Sequence, residues 1–187
     1  MKCLKYITAI LILAGLLLIG LKVKQRTTSE QPQGEGMSQN ASAEHIYASW
    51  STMEFDKCVA NWLIVRFIDK DAKFVLYPQG TEIKEGILFD VPGADWSRKH
   101  LRCTSQCILE SLDNPDPAVK EIVSMAGKIE LNFWQLDRWP DAQKCFYEVK
   151  KIMDQNPNPL ECFEKTRPYF DKLYTSLKNK DFAGGSN

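Results

Sequence analysis

The stretch WSTMEFDKCVANWLIVRFIDKDAKFVLY (residues 50–77) decides how the rest of the chain is read. Cys58, Val59, Trp62, Leu63, Phe67 and Ile68 recur at three- and four-residue steps, the spacing of a helix packed by one face. Phe55 and Asp56 stand where that helix begins. Asp56, in the cap or first turn, can accept free backbone N–H groups at the favourable end of the helix dipole. Arg66 follows Trp62 by one turn, so a cation sits beside the apolar face. Lys70, Asp71 and Ala72 break the pattern. Phe74-Val75-Leu76-Tyr77 then predict a buried strand, ended by Pro78.

Upstream, ITAILILAGLLLIGL (residues 7–21) is an uninterrupted apolar run between Lys5 and Lys22. It predicts a secretory signal or a membrane anchor within residues 1–24. No small-x-small cleavage site closes the run, and Cys3 precedes it, which favours an uncleaved anchor over a secreted product. Export of the following domain to a periplasmic or other extracytoplasmic side is the expected outcome. Residues 25–49 are rich in Gln, Ser, Gly and Glu and predict a flexible linker.

The 187 residues carry 24 basic and 24 acidic side chains, unevenly spread. Residues 1–26 hold five basic groups (Lys2, Lys5, Lys22, Lys24, Arg26) and no acidic ones. The remainder therefore has 19 against 24, a formal charge of −5. An acidic body argues against nucleic acid as a partner, since phosphate-backbone binding needs a concentrated basic face. A small oxyanion site needs only one or two arginines and stays open.

Downstream, Ile87-Leu88-Phe89 predicts a second short strand, ending in Asp90-Val91-Pro92-Gly93. Helices are expected at about 104–112 with Thr104 as cap, 117–129 with Pro117 in the first turn, 141–153 and 160–177. Residues 179–187 predict a disordered tail. The fold class is α+β, helix-dominated with a small sheet, behind an N-terminal hydrophobic membrane segment.

DKCVANWLIVRFIDKDAKF resembles the opening motif of the chromate-resistance protein family, D-R-x-A-x-x-W-L-I-x-R-F-I-D-x-x-A-x-F. Asp56, Ala60, Trp62, Leu63, Ile64, Arg66, Phe67, Ile68, Asp69, Ala72 and Phe74 fit it position for position. FDVPGADWSRKHLRCTS resembles the family's next block, through Phe89, Asp90, Gly93, Arg102, Cys103 and Thr104. Weaker likenesses at 140–152 and 169–178 extend the resemblance over about residues 50–178. The family usually has histidine where this chain has Arg98 and Ser124, so any role those histidines play is missing here unless His100 substitutes for one. The resemblance implies oxyanion or metal-stress handling.

Six cysteines are present, five of them beyond the apolar run: Cys58, Cys103, Cys107, Cys145 and Cys162. Cys103 and Cys107 lie four apart at a helix start, on one face. Helix-start placement near Arg98 and Arg102 predicts a thiolate at Cys103, suited to thiol exchange, electron donation or soft-metal binding. Cys103 as nucleophile with Cys107 as resolving thiol is one reading; two half-buried cysteines or a structural disulfide is the other. Cys58, Cys145 and Cys162 sit on apolar helix faces and read as core. Cofactor and metal content stay open, though His100, Cys103 and Cys107 alone do not complete a four-ligand zinc set from adjacent sequence.

Arg66, Arg98 and Arg102 are the candidate anion ligands, with His100 nearby. Arg66 has an alternative as an ion pair with Asp56 or Asp69. Asp90, ending a strand, is either a displayed carboxylate or a turn former. Trp50, Trp62, Asp56 and Asp69 read as structural. Two functions stay open: an oxyanion- or metal-handling domain with an arginine/cysteine site, and a non-catalytic binding, sensing or structural domain tethered to a membrane.

Overall fold

The computed structural model describes residues 45–184. The apolar run at 7–21 and its anchor reading lie outside the described residues, as do residues 185–187. Among the described residues no helix is long and apolar enough to cross a membrane. The elements are β1 (Ile46–Trp50), α1 (Phe55–Leu63) running into a π-helical turn (Ile64–Ile68), β2 (Lys73–Tyr77) and β3 (Ile87–Leu88). They continue with α2 (Thr104–Ser111), α3 (Pro117–Leu131), a 3-10 turn (Phe133–Arg138), α4 (Pro140–Gln155) and α5 (Pro159–Gly184). Helix dominates, as the patterning predicts.

The sheet has three parallel strands in the order β2-β1-β3. Its central strand is β1, which takes the last residues of the stretch that composition assigns to the linker. Ile46 pairs with Lys73 and Trp50 with Tyr77 on one side; Tyr47 pairs with Ile87 and Ala48 with Leu88 on the other. Tyr47, Ala48 and Ser49 are all buried, so the strand is covered on both faces and has no polar–apolar alternation. Gly86 lets the chain close on this strand. Its φ is +89°, and a Cβ there would lie 2.9 Å from the Ile46 carbonyl oxygen.

β2 is an edge strand rather than a buried one: Lys73 and Val75 are exposed while Phe74 and Leu76 are partly covered. α1 also departs from expectation. All nine residues, Asp56, Lys57 and Asn61 included, are buried. A one-faced helix becomes a central one because α2, α3 and α5 all pack against it. Trp62, Leu63, Ile64, Ile108, Ile122, Val149, Phe163 and Phe170 fill the core around it.

Helix ends follow local chemistry. Asp116 caps α3, its Oδ1 accepting from the Val119 N–H at 3.0 Å, with Pro117 in the first turn. The cap of α2 is Cys103, one residue before the expected Thr104. α5 runs on to Gly184, through most of the stretch read as a tail. Once nucleated by the packed residues before 178, it adds a hydrogen bond per residue.

Candidate functional site

Two connections leave the same end of the sheet: Trp50 to α1, and Leu88 through the 89–103 loop to α2. In parallel sheets, groups beyond the carboxyl ends of strands are displayed together where neighbouring connections diverge. Here β1 has β2 on one side and β3 on the other, so residues 51–56 and 89–105 converge.

Lys57 sits at the centre of this region, 2% exposed. Its Nζ donates to the Trp50 carbonyl at 2.7 Å and the Thr52 carbonyl at 2.6 Å, and lies 3.2 Å from Asp90 Oδ2. All three ammonium protons are thereby used. Asp90 adopts φ +53°, the left-handed conformation that aspartate tolerates better than most residues. Its Oδ1 accepts from Thr104 Oγ1 at 2.6 Å. Asp90 thus stands in a turn, with its carboxylate engaged by Lys57 and Thr104.

Asp56 does accept free helix N–H groups, but those of α2. Its Oδ2 takes the Thr104 N–H at 2.6 Å and its Oδ1 the Ser105 N–H at 3.1 Å. Burial, with the Asp90 charge adding to it, raises the Asp56 pKa; the hydrogen bonds from Ser105 act in the opposite direction. The Asp56 N–H donates to Glu130 Oε1 at 3.2 Å. Arg98 then closes the array, donating to Glu130 Oε2 at 2.5 Å and to Glu54 Oε2 at 3.3 Å. Burial raises the pKa of Glu130 and of Glu54, and nearby carboxylates add to each; Arg98 opposes both. The array reaches solvent at the half-exposed Arg98 and Glu54.

Cys103 lies beside Asp56, fully buried. Its Sγ is 3.4 Å from Ser105 Oγ, and its N–H donates to Gln106 Oε1 at 2.9 Å. Burial, reinforced by the Asp56 charge, pushes its thiol up to about 12. The thiolate expected from the helix start is overridden, because desolvation and a carboxylate both oppose ionisation. Cys107 donates its S–H to the Ser97 carbonyl at 3.3 Å, and burial raises its pKa too. Among the described residues neither is in a disulfide.

The three arginines do not converge. Arg66 donates to Asp171 Oδ1 at 2.7 Å, an atom that also accepts from Trp62 Nε1 at 2.9 Å, and its guanidinium stacks 4.5 Å from the Tyr174 ring centre. Its partner is therefore Asp171 on α5, not Asp56 or Asp69. Arg102 turns to Glu110 at 2.6 Å. His100 is exposed in the turn between Lys99 and Arg102. Asp69 accepts from His45 Nδ1 at 2.8 Å and from the Asp71 N–H at 3.0 Å; against the effect of burial, these bonds hold its carboxyl below the ordinary range. Trp50 Nε1 donates to the Thr81 carbonyl at 3.0 Å, and Trp62 is core. Among the described residues no group of three His, Cys, Asp or Glu side chains is arranged to hold a metal ion.

Lys57, Glu54 and Glu130 are the members that sequence reasoning missed. Glu130 is 74 residues from Asp56 and no spacing connects them. Lys57 carried a signal, a lone cation inside FDKCVANWL, but only a helix buried all round turns it inward.

The family model described as ChrB, C-terminal domain matches residues 47–177, more than half of the chain. No curated protein and no solved structure matches.

Proposed function

Because this chain belongs to the ChrB C-terminal-domain family, we propose that it serves chromate resistance by binding or sensing rather than by cysteine chemistry. One observation carries this reading: Cys103, the best-placed nucleophile by sequence, is sealed in the core as a thiol beside a carboxylate. The intended clamp is also dispersed, each of Arg66, Arg98 and Arg102 being held by a different element. What remains accessible is the Arg98–Glu54 edge of the buried array. Four carboxylates (Glu54, Asp56, Asp90, Glu130) face two cations (Lys57, Arg98), a formal excess of two negative charges when all are ionised. That balance disfavours a free oxyanion and favours a cation drawn to this edge by charge rather than ligated, since among the described residues no three such side chains are arranged to hold a metal ion. In the same reading residues 1–24 tether the domain to a membrane on its extracytoplasmic side.

The test is to incubate the full chain with chromate and follow both chromate loss and binding. The expected result is no thiol-dependent loss of chromate, and a shift of the unfolding midpoint by Cr(III) that Arg98→Gln alters. Chromate reduction that disappears in Cys103→Ala would overturn the reading.

A further inference from the structure

A cavity of about 390 Å³ lies between α2 and α3, with Gln106, Lys120, Ser124, Lys128 and Asn132 in its lining. That volume falls in the range of small-molecule sites. Lys120, Ser124 and Lys128 follow at four-residue steps on α3, so they share a face and stand about 6 Å apart along the axis. Gln106 meets them from α2. Its Oε1 accepts from the Cys103 N–H at 2.9 Å, which fixes the way its amide is turned. The Nε2 end then lies against Gly127, where a Cβ would sit 2.8 Å from it. Only glycine lets this amide come so close to α3.

The polar side chains here are unspent. Among the described residues the Gln106 Nε2 has no acceptor, and the side chains of Lys120, Ser124 and Asn132 have no hydrogen-bond partner. Lys128 has only Glu121, at 3.7 Å. No carboxylate lines the cavity, and no member of the Lys57 array does. Two ammonium groups with amide and hydroxyl donors, and no anion of their own, complement a dianion.

We propose that this groove binds the phosphate of a small phosphomonoester. Lys120 and Lys128 supply the charge, while Gln106 Nε2 and the Ser124 hydroxyl donate to the phosphate oxygens and orient them. The cavity has the volume of about a dozen waters, more than a bare phosphate fills. Leu109, Val123 and Leu131 give the organic remainder an apolar wall. This goes beyond the sensing role above and does not depend on it.

The experiment titrates the full chain at neutral pH with glycerol 3-phosphate, inorganic phosphate and glycerol, read by calorimetry. Glycerol 3-phosphate should bind saturably, inorganic phosphate more weakly and glycerol not at all. Lys120→Gln combined with Lys128→Gln should weaken binding by about tenfold or more. Vesicles of phosphatidylcholine with and without phosphatidic acid identify the source. Retention that needs phosphatidic acid and both lysines places the phosphomonoester on a lipid; glycerol 3-phosphate binding without such retention places it on a soluble molecule. Either supports the site. A heat reproduced by sodium chloride at the same ionic strength would overturn it, as would an affinity unchanged in the double variant. Should that variant not fold, acetylation of the unsubstituted chain decides. Glycerol 3-phosphate should protect Lys120 and Lys128 but not the exposed Lys165, and equal modification with and without it would overturn the proposal.

Discussion

The Lys57 ammonium lies 3.2 Å from the Asp90 carboxylate with only 3% of the lysine side chain and 14% of the aspartate exposed. The pair bridges the first turn of α1 and the loop after β3, and two backbone carbonyls complete the lysine's shell. A buried ion pair is weak evidence of net stabilisation, but removing one partner leaves the other charge uncompensated. Lys57→Met is therefore expected to cost about 3–5 kcal/mol, read from urea unfolding. Adding Asp90→Asn to it should cost less than the sum of the two single changes, because the stranded charge is gone.

Cys103 should be the opposite of a reactive thiol. In the folded chain its alkylation by iodoacetamide at pH 7 should be far slower than in denaturant, because both burial and the thiol pKa of about 12 oppose it. Peptide-resolved labelling checks this. Rapid native labelling of Cys103 at neutral pH would contradict the buried cap.

The raised carboxyls give pH dependence a definite sign. A carboxyl whose folded pKa exceeds its unfolded value binds its proton more tightly when folded. Its contribution is full below the unfolded pKa and is lost as pH rises through the folded one. Glu130 is such a group. The stability of the unsubstituted chain should therefore fall relative to Glu130→Gln as pH rises from about 4, the ordinary carboxylate value, toward neutrality. Paired urea titrations at several pH values measure the difference. A gap moving the other way would mean that Arg98 outweighs burial.

Asn61 offers a gain. It is fully buried on α1, and among the described residues neither its Oδ1 nor its Nδ2 has a hydrogen-bond partner. Replacing an unsatisfied buried amide by a hydrocarbon of similar shape removes a desolvation penalty of about 1–3 kcal/mol. Asn61→Leu should raise stability by about 1 kcal/mol once the slightly larger side chain is accommodated. A lower unfolding midpoint for this variant would show that the amide has a partner after all.

The helices were legible because each carries its own period and its own stop signals, such as Asp116-Pro117 before α3 and Asn156-Pro157 after α4. β1 was not, because its burial comes from strands that follow it by 27 and 40 residues in register, and Ala48 and Ser49 carry no hydrophobic signature. The site misled for a related reason. Arg98 and Arg102 flank Cys103 in the chain, but the short turn through His100 sends Arg102 out to Glu110 while Arg98 reaches back to α3. Cys103 is left facing Asp56, which sequence distance hid. Adjacency along a loop says little about which charges share a space.

The clasp of α5 on α1 also bears on how this chain comes into being. Trp62 and Arg66 wait 109 and 105 residues for Asp171, and Phe55 waits for Phe170. At a synthesis rate of about 5–20 residues per second, the central helix emerges roughly 5–20 s before its last covering helix exists. Through that interval one side of a helix whose nine residues are all buried in the finished domain lacks its cover, and the nascent chain is open to chaperones and to aggregation. Loss of α5 by truncation would make that exposure permanent, so the last helix is a condition for the first to be native.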